Sequence, residues 1–153
     1  MEPEIKKSMI TPLLLKNYLH MVKASVDSPL FQNLYCSVDG EAKDILRDGD
    51  LSCAFFVSWI LMPFHLLKNA HATVAGTVRD LKESGWVTIT EPKPGAVIVW
   101  TPRETEGEIH AHIGFAIEDG KAISNDKDKR SPQIHSWNSR PVEEILWHPK
   151  LSE

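Results

Sequence analysis

Cysteine is scarce in this sequence: Cys36 and Cys53 are its only two thiols in 153 residues. Two cysteines cannot hold zinc by themselves, and no C-x-x-C is present. Long apolar runs are lacking too. The longest, Ala54 to Leu67, is interrupted by Ser58, Pro63 and His65, so no stretch reaches the length of a membrane span. The opening Met-Glu-Pro-Glu-Ile-Lys-Lys puts acids ahead of its lysines and has no small-residue cleavage site, so it does not read as a secretory signal. The expectation is a cytoplasmic protein with both thiols reduced. A basic excess is missing as well. Lys and Arg number 17 against 21 Asp and Glu, a formal net charge of -4, which argues against a nucleic-acid partner. Lys6-Lys7 and Lys127 to Arg130 read as solvated surface. No internal repeat or low-complexity tract occurs.

What is present is an ordinary globular composition, 42% hydrophobic and 25% charged. The chain reads as a single domain over residues 1–153, helical over about 9–85 and strand-rich over about 86–150. Thr11-Pro12 opens a first helix, carried by Leu14, Leu15, Tyr18, Leu19, Met21 and Val22 and fading near Ser25 to Pro29. Phe31 to Asp50 is mixed and polar, with turn signals at Asp39-Gly40 and Asp48-Gly49. A short helix is expected from Ala42 to Arg47. Asp50 or Ser52 caps a second helix from Cys53 to Leu61. It is apolar almost all round and therefore central to the fold. Pro63 ends or kinks it. Thr73 to Ser84 is a third, amphipathic helix stopped at Gly85. Strands are expected at Trp86–Thr90, Ala96–Thr101, Ala111–Glu118, Lys121–Asn125, Gln133–Trp137 and Glu144–His148. Asp119-Gly120 is the strongest hairpin signal, and Arg103 to Glu108 reads as a polar loop. Helices first and an antiparallel sheet afterwards give an α+β class.

Cys53 carries the first chemical signal. It stands at the start of the buried helix, where unpaired N–H groups and the helix dipole favour a thiolate and can hold an oxyanion. The competing reading is a small core hydrophobe. His112 is the second signal. Alternation in His112-Ile113-Gly114-Phe115-Ala116-Ile117 sets His112, Gly114 and Ala116 on one face. The small residues leave room beside the imidazole, and the bland alternative is a histidine facing solvent. Across the hairpin, strict alternation points Ser124 to the His112 side. Asn125, with a better acceptor oxygen, is preferred as the group that orients the imidazole, and Ser124 is the alternative.

Three segments together resemble a known family: Ser52-Cys53-Ala54-Phe55-Phe56-Val57, Lys93-Pro94-Gly95-Ala96-Val97-Ile98-Val99-Trp100, and His112-Ile113-Gly114-Phe115-Ala116-Ile117-Glu118-Asp119-Gly120. A Cys heading an apolar helix, a Pro-Gly turn into a Val-rich strand, and His-Ile-Gly before a hairpin is the order found in NlpC-type and CHAP peptidases. The likeness spans about Asp50 to Asn125. Ser52-Cys53-Ala54-Phe55 stands where the NlpC branch usually has Asp-Cys-Ser-Gly. The resemblance implies a papain-like, NlpC-type core of N-terminal helices on five or six antiparallel strands. It also implies cleavage of peptides or amides, often in bacterial cell wall, through Cys53 as nucleophile, His112 as base, and a polar third member at Ser124 or Asn125. No cofactor or metal is required, and no membrane partner is implied. Peptidoglycan, an intracellular amide or a phage-type lysis substrate all suit this reading.

Other groups were weighed beside these. Ser52 is placed to help hold the oxyanion. His110 lines the cleft mouth or faces solvent. His135 is a substrate contact or an alternative third member, with a surface strand residue as the plainer reading. His110-Ala111-His112, with His135 or Cys53, has a spacing that can bind zinc. A scaffold of this type that binds without turnover is the other competing class. Trp100 and Trp137 either floor a pocket or build the core, and Cys36 is structural or incidental.

Overall fold

Leucine, tyrosine and valine at helical spacing do form the first helix, and it is anchored by one hydroxyl. In the computed structural model, which describes residues 8–152, helix α1 runs Leu14–Ala24. Residues 1–7, including the N-terminal acids and Lys6-Lys7, lie outside the described residues. Tyr18 and Val22 face inward, and Tyr18 Oη donates to the Gly95 carbonyl at 2.8 Å. No helix is long and apolar enough to cross a membrane among the described residues.

The polar stretch after α1 is a hairpin, not a helix. Strands β1 (Tyr35–Val38) and β2 (Glu41–Asp44) pair antiparallel around Asp39-Gly40. Both turn residues take positive φ, 52° and 84°, as a two-residue hairpin requires. The helix expected at Ala42 to Arg47 is thereby corrected. Asp44, expected inside it, instead closes the following loop, accepting from the N–H groups of Leu34, Leu46 and Asp48. A short polar side chain that collects local N–H groups competes with helix.

Helix α2 spans Cys53–Leu61, and Ala54, Phe55, Phe56, Val57, Ser58, Ile60 and Leu61 are all buried. Pro63 lies in a 3-10 turn, Met62–Phe64, that ends it. Helix α3 spans Val74–Glu83, with Thr73 Oγ1 accepting from Gly76 N–H. The loop between α2 and α3 is tied down by Asp80, which accepts from Lys68 and Asn69 N–H and meets the His71 ring at 2.7 Å.

Six further strands follow: β3 (Val87–Ile89), β4 (Val97–Thr105), β5 (Glu108–Ala116), β6 (Lys121–Asp126), β7 (Ser131–Ser136) and β8 (Val142–Trp147). They form one antiparallel sheet in the order β3-β8-β4-β5-β6-β7. The class is α+β. The segment Arg103 to Glu108, expected as a loop, is the outer end of the β4–β5 hairpin, pairing Arg103 with His110, Glu104 with Ile109 and Thr105 with Glu108. Its polarity reflects a ribbon exposed on both faces, which the periodicity of buried strands does not describe.

Rings meeting edge-on fasten the helices to the sheet. Phe115 of β5 meets Phe56 of α2 at 5.3 Å and Tyr18 of α1 at 5.7 Å, and Phe56 meets Phe31 at 5.0 Å. Strands β5 and β6 stay paired only from Gly114–Ser124 to Ala116–Ala122. Beyond that both continue without pairing to each other, and the head of α2 is held at this parting. Asn125 Nδ2 donates to the carbonyl of Gly49, just upstream of Cys53, at 2.8 Å.

Gly114 permits the close approach at the parting. A Cβ there would lie 2.7 Å from both the Ile123 carbonyl oxygen and Ser124 Cβ. Gly114→Ala should therefore cost about 1–3 kcal/mol of stability, read from urea unfolding. An unchanged midpoint would show that the strands have room to spare.

Candidate functional site

Cys53 is the first residue of α2, with Ser52 as the preceding cap residue. Ser52 is fully buried, and its hydroxyl caps nothing. Burial pushes the Cys53 thiol above its ordinary value. Backbone N–H groups of Ile113, Ala54 and Cys53 itself, with the charge of Arg140, pull the other way. Burial is the larger effect, so the resting sulfur is a thiol held among donors that suit its anion.

His112 projects from β5 on the face shared with Gly114. Its Nε2 meets Ser124 Oγ at 2.8 Å, and Ser124 Oγ meets His135 Nε2 at 2.6 Å. His135 Nδ1 in turn lies 2.9 Å from the Ser136 carbonyl oxygen and 3.2 Å from Ser139 Oγ. A carbonyl oxygen can only accept, so His135 Nδ1 bears the hydrogen. A neutral His135 then accepts at Nε2, and the Ser124 hydroxyl donates to it. The Ser124 oxygen accepts from His112 Nε2–H, leaving His112 Nδ1 as a free base. One main-chain carbonyl thus assigns the hydrogens along three side chains.

Both rings are neutral near pH 7. Burial is the main cause of the fall in His112 to about 3, with the charges of Arg140, His135 and Arg103 adding to it and Asp126 opposing. His135 is lowered chiefly by burial, against the Ser136 carbonyl and Asp126. Trp100, wholly buried, holds the rings in place. Its ring centroid lies 5.3 Å from that of His112 and 5.4 Å from that of His135, and its Nε1 donates to the Trp137 carbonyl at 2.8 Å.

A cleft of about 1000 Å³ opens here, lined among others by Cys53, His112, Ser124, Asn125, His135 and Arg140. The structure therefore brings Cys53 and His112 to one cavity, with Ser124 on the imidazole. No family model and no curated protein matches the chain. The site is read from its own geometry.

Asn125 sits differently from the sequence reading, while His110 and His135 each take one of the places weighed for them. Asn125, preferred as the orienting group, spends its amide N–H on Gly49, and its buried Oδ1 meets no donor among the described residues. Ser124 holds the place on the ring because strand alternation was not broken at the end of β6. His110 is exposed, bound to Glu108 at 2.7 Å on the rim of the cleft. Glu108 also takes both of its oxygens to Arg47. His135, weighed as a substrate contact, an alternative third member or a surface strand residue, joins the cluster through Ser124. Among the described residues no three His, Cys, Asp or Glu side chains are grouped to hold a metal ion. Cys36 lies on the separate β1–β2 hairpin, opposite Lys43.

Arg103 and Arg140 also line the cleft, and neither was singled out from sequence. Arg140 stands in an irregular Ser139-Arg140-Pro141 segment without a motif, and Arg103 in a stretch that looked like solvated loop.

The depressed His112 has a sign that can be tested. An ordinary imidazole near 6.5 takes up a proton in the unfolded chain that the folded chain refuses until about 3. Its contribution to stability is complete above pH 6.5 and is lost as pH falls towards 3. The wild type should lose more stability than His112→Asn on going from about pH 7 to about pH 4.5. Nitrogen NMR at about pH 5 should show His112 neutral with hydrogen on Nε2. A protonated ring there, or hydrogen on Nδ1, contradicts the assigned chain.

Proposed function

We propose that this chain is a cysteine hydrolase of papain-like, NlpC-type architecture, acting on a peptide or other amide. The observation that carries the reading is the His112–Ser124–His135 chain, which leaves His112 Nδ1 without a hydrogen in the cleft that Cys53 also lines at the head of α2. The order of these elements along the chain supports it, as does a buried helix headed by a thiol at the parting of two strands.

In this mechanism His112 Nδ1 takes the proton from Cys53 as the sulfur attacks the carbonyl carbon. The proton transfer and the attack proceed together, because burial keeps both groups neutral at rest. The N–H groups at the start of α2 face the oxyanion. The imidazolium gives its proton to the departing amine, leaving a thioester on Cys53. Water, deprotonated by the same nitrogen, hydrolyses the thioester and restores the thiol. Ser124 and His135 are positioning residues. They hold the imidazole in the tautomer that leaves Nδ1 free. Wall-derived bacterial peptides are the substrate class to which the resemblance points.

A second reading, a scaffold that binds without turnover, draws on the raised thiol: a sulfur that rests protonated is a weak nucleophile until a base relieves it.

The discriminating measurement uses p-nitrophenyl acetate and intact-mass mapping of the acetylated protein. Acetyl should reach Cys53 ahead of Cys36, with a burst of nitrophenolate. His112→Ala should slow the acetylation by about 10²–10⁴-fold. Ser124→Ala should slow it less and disturb its pH profile. Acetylation of Cys36 at an equal rate, or none at Cys53, would leave the second reading standing.

A further inference from the structure

Two guanidinium groups in the cleft have no anionic partner among the described residues. Arg140 Nη2 donates to the Thr101 carbonyl at 2.7 Å, which fixes the head group, while its Nε is buried with no acceptor among the described residues. No carboxylate lies within ion-pair distance of Arg140 or Arg103 among the described residues, whereas Arg47, on the same cleft, is paired with Glu108. A desolvated N–H of a charged group left without an acceptor is costly, and like charges repel. Two cations left without an anionic partner on the wall of one cleft suit a ligand that brings a negative charge to them.

We infer that Arg140 and Arg103 form a carboxylate-binding subsite beside Cys53 and His112, so that the preferred substrate carries a carboxylate close to its scissile amide. This rests on the hydrolase reading for the word substrate, but the subsite itself does not need turnover. The fork of a guanidinium matches the two oxygens of a carboxylate. The site is near the chemistry, since Arg140 and Arg103 line the same cleft as Cys53 and His112. The cleft also holds Asp50, Glu106, Asp126 and Asp128, which disfavour an extended polyanion such as nucleic acid. The single negative charge of a bound carboxylate would offset part of the positive charge that Arg140 and Arg103 place near His112.

Glutarate and its uncharged diamide, titrated calorimetrically into the full chain, decide the matter. Glutarate should bind at least about tenfold more tightly than the diamide, and Arg140→Gln should remove most of that difference. Arg140→Lys, which keeps the charge and loses the fork, should fall between. Arg103 is exposed and makes no tie that the fold needs, so Arg103→Gln serves if the Arg140 variants do not fold; it should weaken glutarate binding roughly threefold or more. Equal affinity for the two probes, or glutarate binding indifferent to both arginines, overturns the inference. The acetylation of Cys53 is scored separately. Its failure removes the hydrolase reading, while the glutarate titration still settles whether the subsite exists.

Discussion

The Ser136 carbonyl accepts and cannot donate, and the hydrogen placement of the whole cluster follows from that. Without it, either nitrogen of His135 could bear hydrogen, the Ser124 hydroxyl could turn either way, and His112 could present an N–H at Nδ1 in place of a lone pair. Main-chain carbonyls are dependable anchors for this purpose because they do not titrate. The arrangement also explains why a serine suffices between the two rings. Its hydroxyl accepts on one side and donates on the other, a pair of roles that an aliphatic side chain cannot fill.

Burial shapes the site as strongly as hydrogen bonding. The Trp100 ring, the apolar body of α2 and the parted strands all exclude water, and each neutral form is favoured over its ion. The same exclusion makes the N–H groups at the head of α2 more effective towards a developing negative charge.

Much of the architecture was legible in the amino-acid pattern, for specific reasons. Helices α1, α2 and α3 announced themselves by spacing and by Thr73, Pro63 and Gly85. The core strands announced themselves by β-branched runs and Asp119-Gly120. The hairpin at residues 35–44 escaped because it is small, polar and half-exposed, so no hydrophobic period marks it. The arm at residues 103–110 escaped for the same reason. In the site, Cys53, His112 and Ser124 follow from position and alternation alone. Asn125 was preferred on its chemistry, and that chemistry serves Gly49 instead. The contribution of His135 depends on how β6 and β7 register, Ala122 opposite His135. The two arginines share one cleft although they lie on the β4–β5 arm and in the segment after β7, which no local pattern records.

The ring of Phe115 touches both Tyr18 and Phe56, and the Tyr18 hydroxyl reaches across to Gly95. Gly95 and Phe115 lie inside the stretch from Asp50 to Asn125 that holds Cys53 and His112, and Tyr18 lies outside it. An excised fragment limited to residues 50–125 would strip one aromatic wall from the centre of the fold and leave a main-chain acceptor bare. It would also lose β8, which pairs with β4 on its other edge. The portion of the chain that suggests the chemistry is therefore not a self-sufficient folding unit, and the segments on either side of it are structural partners to the site rather than appendages.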